Sequence, residues 1–240
     1  MIIASSDNQK YKYINKLKQK KFRDKENSFI IESKKLVEEA ISSADVDFIF
    51  LSEENKDYQS DLPKIVLTRE LFDKVTGMVT SDGFGAVVKK PAYKEVSAKR
   101  VLLLDQINDP GNMGTIIRSA EAFGFSDIIL MPKTCDIYNE KTVRASMGSI
   151  FRLNIVKKNL DQVKKLKENY KMVSADMTGY DINECDIDGN LILAIGNEAN
   201  GLSKEIRSLT DTFVKIPMKG QIESLNAAIA ASIIMNKLSL

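Results

Sequence analysis

The chain contains no histidine, and this absence removes several classes of enzyme at once. Ser-His-Asp and Cys-His hydrolases need an imidazole as general base, and many metal sites need it as a ligand. The two cysteines, Cys135 and Cys185, are too few for a disulfide scaffold or a cysteine zinc site. Any catalysis must therefore move protons with acidic, basic or phenolic side chains or with groups of the substrate, and we expect no metal.

Other absences place the chain among ordinary globular proteins. Only 12 of its 240 residues are glycine and 5 are proline, while 43% are hydrophobic and 28% are charged. No apolar run reaches the ~20 residues of a membrane span, and the first residues lack the apolar stretch of a secretory signal, so we expect a cytoplasmic location. There is no Walker A loop and no GxGxxG after the first strand of either half, which excludes the common Rossmann glycine loops.

The first 25 residues carry eight basic side chains and two acidic ones. Such an excess is typical of a surface that binds RNA phosphates. A solvated helix face would carry the same charges, so charge alone leaves both interpretations open. The candidate RNA contacts are Lys18, Lys20, Lys21 and Arg23.

Residues 1–90 have the pattern of a small α/β unit. Apolar periodicity predicts helices near 10–21, over 33–41 and over 70–75, and strands over 29–31, 48–51 and 86–88. The polar segment 91–100 has no clear period and is predicted to be a linker. We therefore expect a domain over 1–95 and a second over 96–240.

The second half has the alternation of a parallel sheet covered by helices. Continuous apolar runs predict strands over 101–104, 128–131, 191–195 and 213–218, and a helix over 115–123 follows the first strand. Ligands bind beyond the carboxyl ends of such strands. Three polar loops occupy that position, over 105–114, 196–201 and 219–226.

Individual side chains in these loops admit two interpretations each. On the first helix Arg118 lies opposite the apolar stripe, where it is either an anion-binding group or an ordinary surface arginine. Glu198 is placed to bind a ligand or to hold Arg118, although plain turn chemistry would also explain its loop. Residues 225–235 carry no charge and predict a helix that either threads the core or packs against a partner.

Together the three loops resemble the motifs of the SpoU (TrmH) family of RNA ribose 2'-O-methyltransferases. The first reads NDPGNMGTIIR over 108–118, the second IGNEANGL over 195–202 and the third IPMKGQIESLN over 216–226. Residues 1–90 are similar to the family's L30e-like substrate-binding domain, including FIIES over 29–33. The family usually has glycine where this chain has Ser33, which affects the geometry of that turn.

The resemblance implies a fold and a set of site residues. It implies an α/β chain with a C-terminal trefoil-knotted parallel-sheet (SPOUT-type) methyltransferase domain, a smaller N-terminal L30e-like α/β domain, bound S-adenosylmethionine and a homodimer packed through knot-region helices. The residues matching the family's catalytic site are Asn112, Arg118, Glu198, Ser224 and Asn226. Those matching its cofactor contacts are Gly196, Asn197, Ile216, Met218, Leu225 and Asn226.

The function that follows is transfer of a methyl group from S-adenosylmethionine to a ribose 2'-hydroxyl of RNA, with ribosomal RNA as the expected substrate. A tRNA methyltransferase of the same family, a drug-resistance methyltransferase of similar architecture and a non-catalytic RNA-binding module are the alternatives. Arginine is a poor base, so we assign Arg118 to orienting a phosphate and stabilising the developing alkoxide.

Overall fold

The structure is a computed structural model that describes residues 2–77, 81–185, 187–222 and 224–239. The chain divides into two compact units by its internal contacts. One unit contains residues 1–92 and 138–151, and the other contains residues 93–137 and 152–240. The change of unit between Ala92 and Tyr93 falls inside the predicted linker.

The N-terminal unit is built on a five-stranded sheet. Its elements up to residue 92 are β1 (Ile2–Ile3), α1 (Gln9–Lys16), α2 (Lys20–Glu26), β2 (Ser28–Glu32), α3 (Lys34–Ser43), β3 (Val46–Ser52), β4 (Lys64–Leu67), α4 (Arg69–Thr76) and β5 (Phe84–Lys89). The strand order is β1-β4-β3-β5-β2, with β5 antiparallel to both of its neighbours. Leu17, Phe50 and Phe72 are fully buried in one core cluster of this unit.

The predicted basic helix over 10–21 is wrong in one respect, because two short helices replace it. Residues 17–19 separate α1 from α2. Leu17 turns into the core with no exposed surface, and the guanidinium of Arg23 donates to the backbone carbonyls of Leu17 (2.9 Å) and Lys18 (2.6 Å). The break frees these carbonyls, and the arginine satisfies them.

Ser33 occupies a backbone conformation that suits glycine. Its φ is 90°, and its hydroxyl accepts from the amide of Leu36 to cap α3. A side chain in this region of φ is strained, while a glycine there is not. Ser33 therefore occupies this turn at a cost in backbone strain that a glycine would not have.

The rest of the chain carries the larger sheet. Its elements are β6 (Arg100–Leu104), α5 (Pro110–Ala122), β7 (Asp127–Leu130), α6 (Glu140–Ser146), β8 (Asn154–Lys157), α7 (Leu160–Lys167), β9 (Lys171–Asp181), β10 (Leu191–Ile195), α8 (Lys204–Leu209), β11 (Thr212–Lys215) and α9 (Ala227–Leu238). The strand order is β11-β9-β10-β6-β7-β8 and every pairing is parallel. The predicted parallel sheet is confirmed, and its order is consistent with the trefoil knot, which stays a prediction.

Helix α5 begins earlier than the predicted residue 115. Asp109 caps it by accepting from the amide of Asn112 at 2.7 Å, and Pro110 occupies the first turn, where its missing N–H costs nothing. All of the first motif after Asn108 and Asp109 is therefore helical. This start fixes the direction in which Asn112 leaves the backbone.

The segment 138–151, which contains α6, packs within the N-terminal unit rather than with the residues on either side of it. The ring of Tyr138 lies 4.6 Å from that of Phe29, and Arg144 donates to the buried carboxylate of Glu32 at 2.9 Å. The predicted single domain over 96–240 differs from the observed unit here. Apolar contact and this ion pair hold the segment to β2.

The C-terminal helix α9, whose single charged residue is Lys237, buries only one of its faces. Ala228, Ala231, Ile234 and Met235 are buried, whereas Ile229 and Ile233 are 52% and 40% exposed. The interpretation that α9 threads the core on all sides is wrong for the single chain. Within the described part of the chain, no helix combines the length and apolarity that a membrane crossing requires.

Candidate active site

The first two predicted loops lie next to each other at the carboxyl ends of β6 and β10. These two strands are paired in parallel and end at the same edge of the sheet. Asp105 directly follows β6 and is 2% exposed. Its carboxylate accepts from the amide of Ser203 at 2.7 Å, and its own amide donates to the carbonyl of Ile195. This carboxylate anchors the loop after β10 to the loop after β6.

The loop over 196–201 is closed by its own backbone. Asn197 and Gly201 exchange two N–H to carbonyl bonds of 2.9 Å. The side-chain oxygen of Asn197 accepts from the amides of Ala199 and Asn200, and its Nδ2 donates to the carbonyl of Gln106 at 2.9 Å. Asn197 thus serves as the structural centre of the loop and points its amide back to the first loop.

Three of the five predicted catalytic residues form one hydrogen-bonded chain. Asn112 Nδ2 donates to Glu198 Oε1 at 2.9 Å, and Asn226 Nδ2 donates to Asn112 Oδ1 at 2.9 Å. Asn226 Oδ1 in turn accepts from the amides of Ala228 and Ile229 and caps α9. The three motifs, which are far apart in sequence, are joined through these side chains.

The direction of this chain is fixed by its two ends. An ionised Glu198 can only accept, and the backbone amides of α9 can only donate. Each asparagine must therefore present its NH₂ group towards Glu198 and its carbonyl towards α9. The interpretation that Glu198 holds Arg118 is not what the structure shows, because the carboxylate is bonded to Asn112 instead.

Arg118 projects from the exposed side of α5. No hydrogen-bond or ion-pair partner for it exists within residues 2–77, 81–185, 187–222 and 224–239. One residue on, the hydroxyl of Ser119 lies 2.7 Å from that of Ser232, which links α5 to α9. Arg118 is therefore a free cation on a helix that is held firmly beside the third motif.

A cleft of about 480 Å³ opens beside the third motif. Ile216, Met218, Ser224 and Leu225 line it, which brings four predicted site residues together. Gly196, Asn197 and Asn226 are not among its lining residues. Glu223, which belongs to the same motif, lies outside the described residues.

Sequence reasoning missed the contribution of β9 to this cleft. The strand pairs with β11 at Ser174 and again at Tyr180, so the residues between them bulge from the sheet, and Ala175, Asp176 and Met177 line the cleft. The segment SADMTGYD is too polar to read as a strand, and only its single Gly179 marks the bulge. A Cβ at Gly179 would lie 2.4 Å from the backbone of Phe213.

Asp176 places a stable negative charge at the cleft. Although burial opposes ionisation, hydrogen bonds from Arg207 and Thr178 lower the pKa of Asp176 to about 2. The Arg207 guanidinium also lies 4.6 Å from the centre of the Phe213 ring, which fixes it in place. The cleft therefore combines an apolar wall with one ionised carboxylate.

Cys135 lies beside the first loop, where its backbone amide donates to the carbonyl of Ile107. Burial, together with the charges of Asp136, Asp109 and Glu198, raises the pKa of Cys135 to about 11. The group is consequently a neutral thiol near pH 7, and only a thiolate attacks efficiently.

The four predicted RNA contacts differ in their exposure and in their bonding partners. Lys20 and Lys21 are exposed on α2, and Lys18 donates its ammonium to the carbonyl of Lys74 at 3.1 Å. Arg23 is only 4% exposed and bonds backbone carbonyls. The guanidinium of Arg23 therefore supports the fold and is not exposed for contact with RNA.

Comparison with known proteins matches both parts of the chain. Residues 99–236 match the model of the SpoU rRNA Methylase family, and residues 8–86 match that of the MRM3-like substrate binding domain. The chain is 38% identical over 240 residues to the Bacillus subtilis 23S rRNA (guanosine(2553)-2'-O)-methyltransferase RlmP, with 97% of each chain covered. It is 39% identical over 143 residues to the Streptomyces viridochromogenes 23S rRNA (uridine(2479)-2'-O)-methyltransferase, covering 56% of this chain and 50% of that one.

Solved structures are similar over nearly the whole chain. The AdoMet-bound rRNA methyltransferase from Sinorhizobium meliloti superposes with a TM-score of 0.87 at 28% identity, covering 99% of this chain and 96% of that one. The methyltransferase AviRb from Streptomyces viridochromogenes, in complex with AdoMet, gives 0.84 at 26% identity, with 96% of each chain covered.

Proposed function

The chain belongs to the SpoU rRNA methylase family, and on that premise we propose that it transfers a methyl group from S-adenosylmethionine to a ribose 2'-hydroxyl of ribosomal RNA. The observation that carries the proposal is the hydrogen-bonded chain of Glu198, Asn112 and Asn226. It joins all three motifs beside a cleft that is lined by three of the predicted cofactor contacts, Ile216, Met218 and Leu225.

The cleft suits a cofactor of this kind. S-adenosylmethionine, when bound, supplies an activated methyl group on a positively charged sulfur. Ile216, Met218 and Leu225 offer apolar surface, and Asp176 offers an ionised carboxylate that complements a cation. We propose that these four residues hold the cofactor.

A ribose hydroxyl is a very weak acid, so the attacking oxygen must be helped to lose its proton. In the transfer the ribose oxygen would take the methyl group, the cofactor sulfur would keep the electron pair of its bond to that group, and the hydroxyl proton would pass to water. The guanidinium of Arg118 is a poor base. We assign it to holding an RNA phosphate and to stabilising the negative charge that develops on the ribose oxygen. Ser224 and Asn226 lie at the third motif, where they would orient the ribose.

The test is methyl transfer by the purified protein to ribosomal RNA with labelled S-adenosylmethionine. Removing one charge-stabilising donor costs on the order of 10²–10³ in rate, and we expect that loss for Arg118→Ala with cofactor affinity unchanged. Lys165→Ala, at an exposed lysine of α7, is the control. Label on a base instead of a ribose, or equal rates for the Arg118 variant, would contradict the proposal.

The substrate proposal follows the Bacillus subtilis relative, which matches over 97% of both chains. That protein is named for a guanosine of 23S rRNA, so we propose 23S rRNA as substrate and the cytoplasm as location. Mapping ribose methylation in RNA from cells with and without the gene separates the alternatives. Loss of a mark in tRNA alone would favour the tRNA enzyme, and no lost mark would favour the non-catalytic module.

We also propose a homodimer that packs on the open face of α9. Ile229 and Ile233 are exposed on that face in the single chain, and both are large aliphatic residues. An Ile229→Glu/Ile233→Glu variant should elute as a monomer in size-exclusion chromatography with light scattering, while the parent protein elutes as a dimer. A monomeric parent protein would refute the assignment.

A further inference from the structure

Two adjoining clefts on the N-terminal unit are not used by the proposed reaction. The first encloses about 220 Å³ and contains the ring of Phe22, and the second encloses about 350 Å³ and contains the ring of Phe48. Gln9 and Tyr13, both on α1, line both clefts. Tyr13 is therefore the aromatic wall that the two clefts share.

These rings are only partly used in the core. Tyr13 and Phe48 lie at the edge of the core cluster, with ring centres 6.3 Å apart, and both remain half-buried. In the part of the chain that the structure describes, the Tyr13 hydroxyl has no hydrogen-bond partner. A tyrosine that is needed only for packing usually places its hydroxyl against a partner. This one leaves ring surface open for a base to stack on.

The clefts are also surrounded by positive charge. Lys16 lies 5.7 Å from the centre of the Phe22 ring, and neither Lys16 nor Lys10 has an ion-pair partner among the residues described. Lys12 is paired with Asp7 at 2.8 Å. The charged residues that line the clefts are Lys12, Lys16, Lys25 and Glu26 in the first and Lys10, Lys64 and Asp47 in the second.

Aromatic surface interleaved with lysines is the arrangement that single-stranded nucleic acid recognises. Bases stack on the rings, and phosphates meet the ammonium groups. Both clefts are near or below the ~300 Å³ lower limit of drug-sized pockets, which suits one base each. Double-stranded RNA has its bases paired and stacked, so it cannot fill such clefts.

We infer that these two clefts bind an unpaired segment of the RNA substrate, with bases packed against Tyr13, Phe22 and Phe48 and the backbone along Lys10 and Lys16. The inference rests on the proposed function for the identity of the RNA. It adds a second contact surface, on α1 and its neighbours, to the exposed lysines of α2.

The first arm of the test measures stacking. The 240-residue protein is titrated against a labelled single-stranded RNA of about 12 nucleotides, within the span of known single-strand grooves, and against the same sequence as a duplex. We expect Tyr13→Leu, which keeps apolar volume but removes the ring, to bind the single strand about tenfold more weakly. Tyr13→Phe should bind as the parent does, and the duplex should be bound equally by all three.

The second arm measures phosphate contacts. Each phosphate contact to a single strand contributes about 0.7 to the slope of log affinity against log salt. Lys10→Gln/Lys16→Gln should therefore reduce that slope by about 1.4, while Tyr13→Leu lowers affinity without changing it. The control is Lys56→Gln/Lys165→Gln, at two exposed lysines outside the clefts, and its slope should equal that of the parent.

Thermal melting of each variant ensures that the comparison is made between folded proteins. Unchanged affinity for Tyr13→Leu together with an unchanged slope for the double lysine variant would overturn the inference. Methyl transfer by the parent protein is measured separately. A parent that binds single-stranded RNA through Tyr13 but transfers no methyl group would refute the proposed function and leave the RNA site standing.

Discussion

Gly196 offers the sharpest test of how tightly the second motif is built. A Cβ at this position would lie 2.3 Å from the backbone carbon of Gly201 and 2.4 Å from the backbone nitrogen of Leu202. These are atoms of the same loop, held by the paired bonds between Asn197 and Gly201. Gly196→Ala therefore cannot be absorbed by moving a flexible side chain, and the loop itself must open.

Two other glycines near the site provide a graded comparison. A Cβ at Gly201 meets nothing within 4 Å, but its φ of +67° is unfavourable for alanine. A Cβ at Gly220 also meets nothing, and its backbone carries no such restriction. The alanine variants thus differ in kind: Gly196→Ala introduces a steric clash, Gly201→Ala introduces backbone strain, and Gly220→Ala introduces neither.

The expected losses of unfolding free energy follow from these differences. Left-handed backbone costs about 1–2 kcal/mol for a non-glycine residue, which we expect for Gly201→Ala. Forcing an extra atom into a packed site costs about 1–3 kcal/mol of unfolding free energy or more. Because the neighbours of Gly196 are backbone atoms that cannot move aside, we expect Gly196→Ala to lose roughly 3 kcal/mol. At about 2–4 °C per kcal/mol, this lowers the melting temperature by about 6–12 °C. Gly220→Ala should melt within about 2 °C of the parent.

The assay combines thermal melting with calorimetric titration of S-adenosylmethionine. Gly196→Ala should also weaken cofactor binding, because Gly196 matches one of the family's cofactor contacts and lies in the loop that must open. Gly220→Ala should keep its affinity. If Gly196→Ala melts with the parent and binds the cofactor equally well, the close approach between Gly196 and Gly201 does not constrain the loop and the reasoning fails.

Three further predictions test other parts of the molecule. Asn112→Asp removes the donor to Glu198 and adds a like charge beside it, so we expect methyl transfer to fall by about 10²-fold, while calorimetry finds cofactor affinity unchanged. Burial and the charge of Glu140 raise the pKa of Glu32 to about 7 against the attraction of Arg144, so the folded state holds this proton more tightly than the unfolded chain. That stabilisation is complete below pH ~4.5 and is lost as pH rises through 7. Denaturant melts should therefore show that the unfolding free energy of Glu32→Gln rises by about 2 kcal/mol relative to that of the parent between pH 5 and pH 8. Parallel curves of unfolding free energy against pH would contradict this expectation. Arg23→Met should lose about 2–4 kcal/mol of stability, because two backbone carbonyls lose their hydrogen-bond donor, and should keep the salt dependence of RNA binding. Lys20→Gln/Lys21→Gln should instead reduce that salt dependence and keep the stability of the parent.

Local patterns in the sequence were sufficient for much of the fold. The apolar runs at 101–104 and 191–195 became neighbouring buried strands, because a strand covered on both faces needs apolar side chains at every position. The caps at Asp109 and Asn226 act within a few residues of themselves. The start of α5 was missed because Gly111 and Gly114 resemble a loop when they are seen without that cap.

The site could be located from sequence, but its connections could not. Three motifs at strand ends indicated that Asn112, Glu198 and Asn226 converge, and they do. The sequence placed Glu198 equally well beside Arg118, since a long side chain reaches several partners. Only the positions of two backbones in space choose between them.

Composition, the lack of histidine, the order of the motifs and the periods of apolar residues are properties of the chain itself, and they determined the class of fold and the kind of chemistry. The tertiary structure alone decided that Arg23 is buried, that the bulge of β9 supplies Asp176 to the cleft and that 138–151 packs on β2. The physical reason is distance along the chain. A charge has the same sequence pattern on a surface and in a core, and its role depends on atoms that only folding brings within reach.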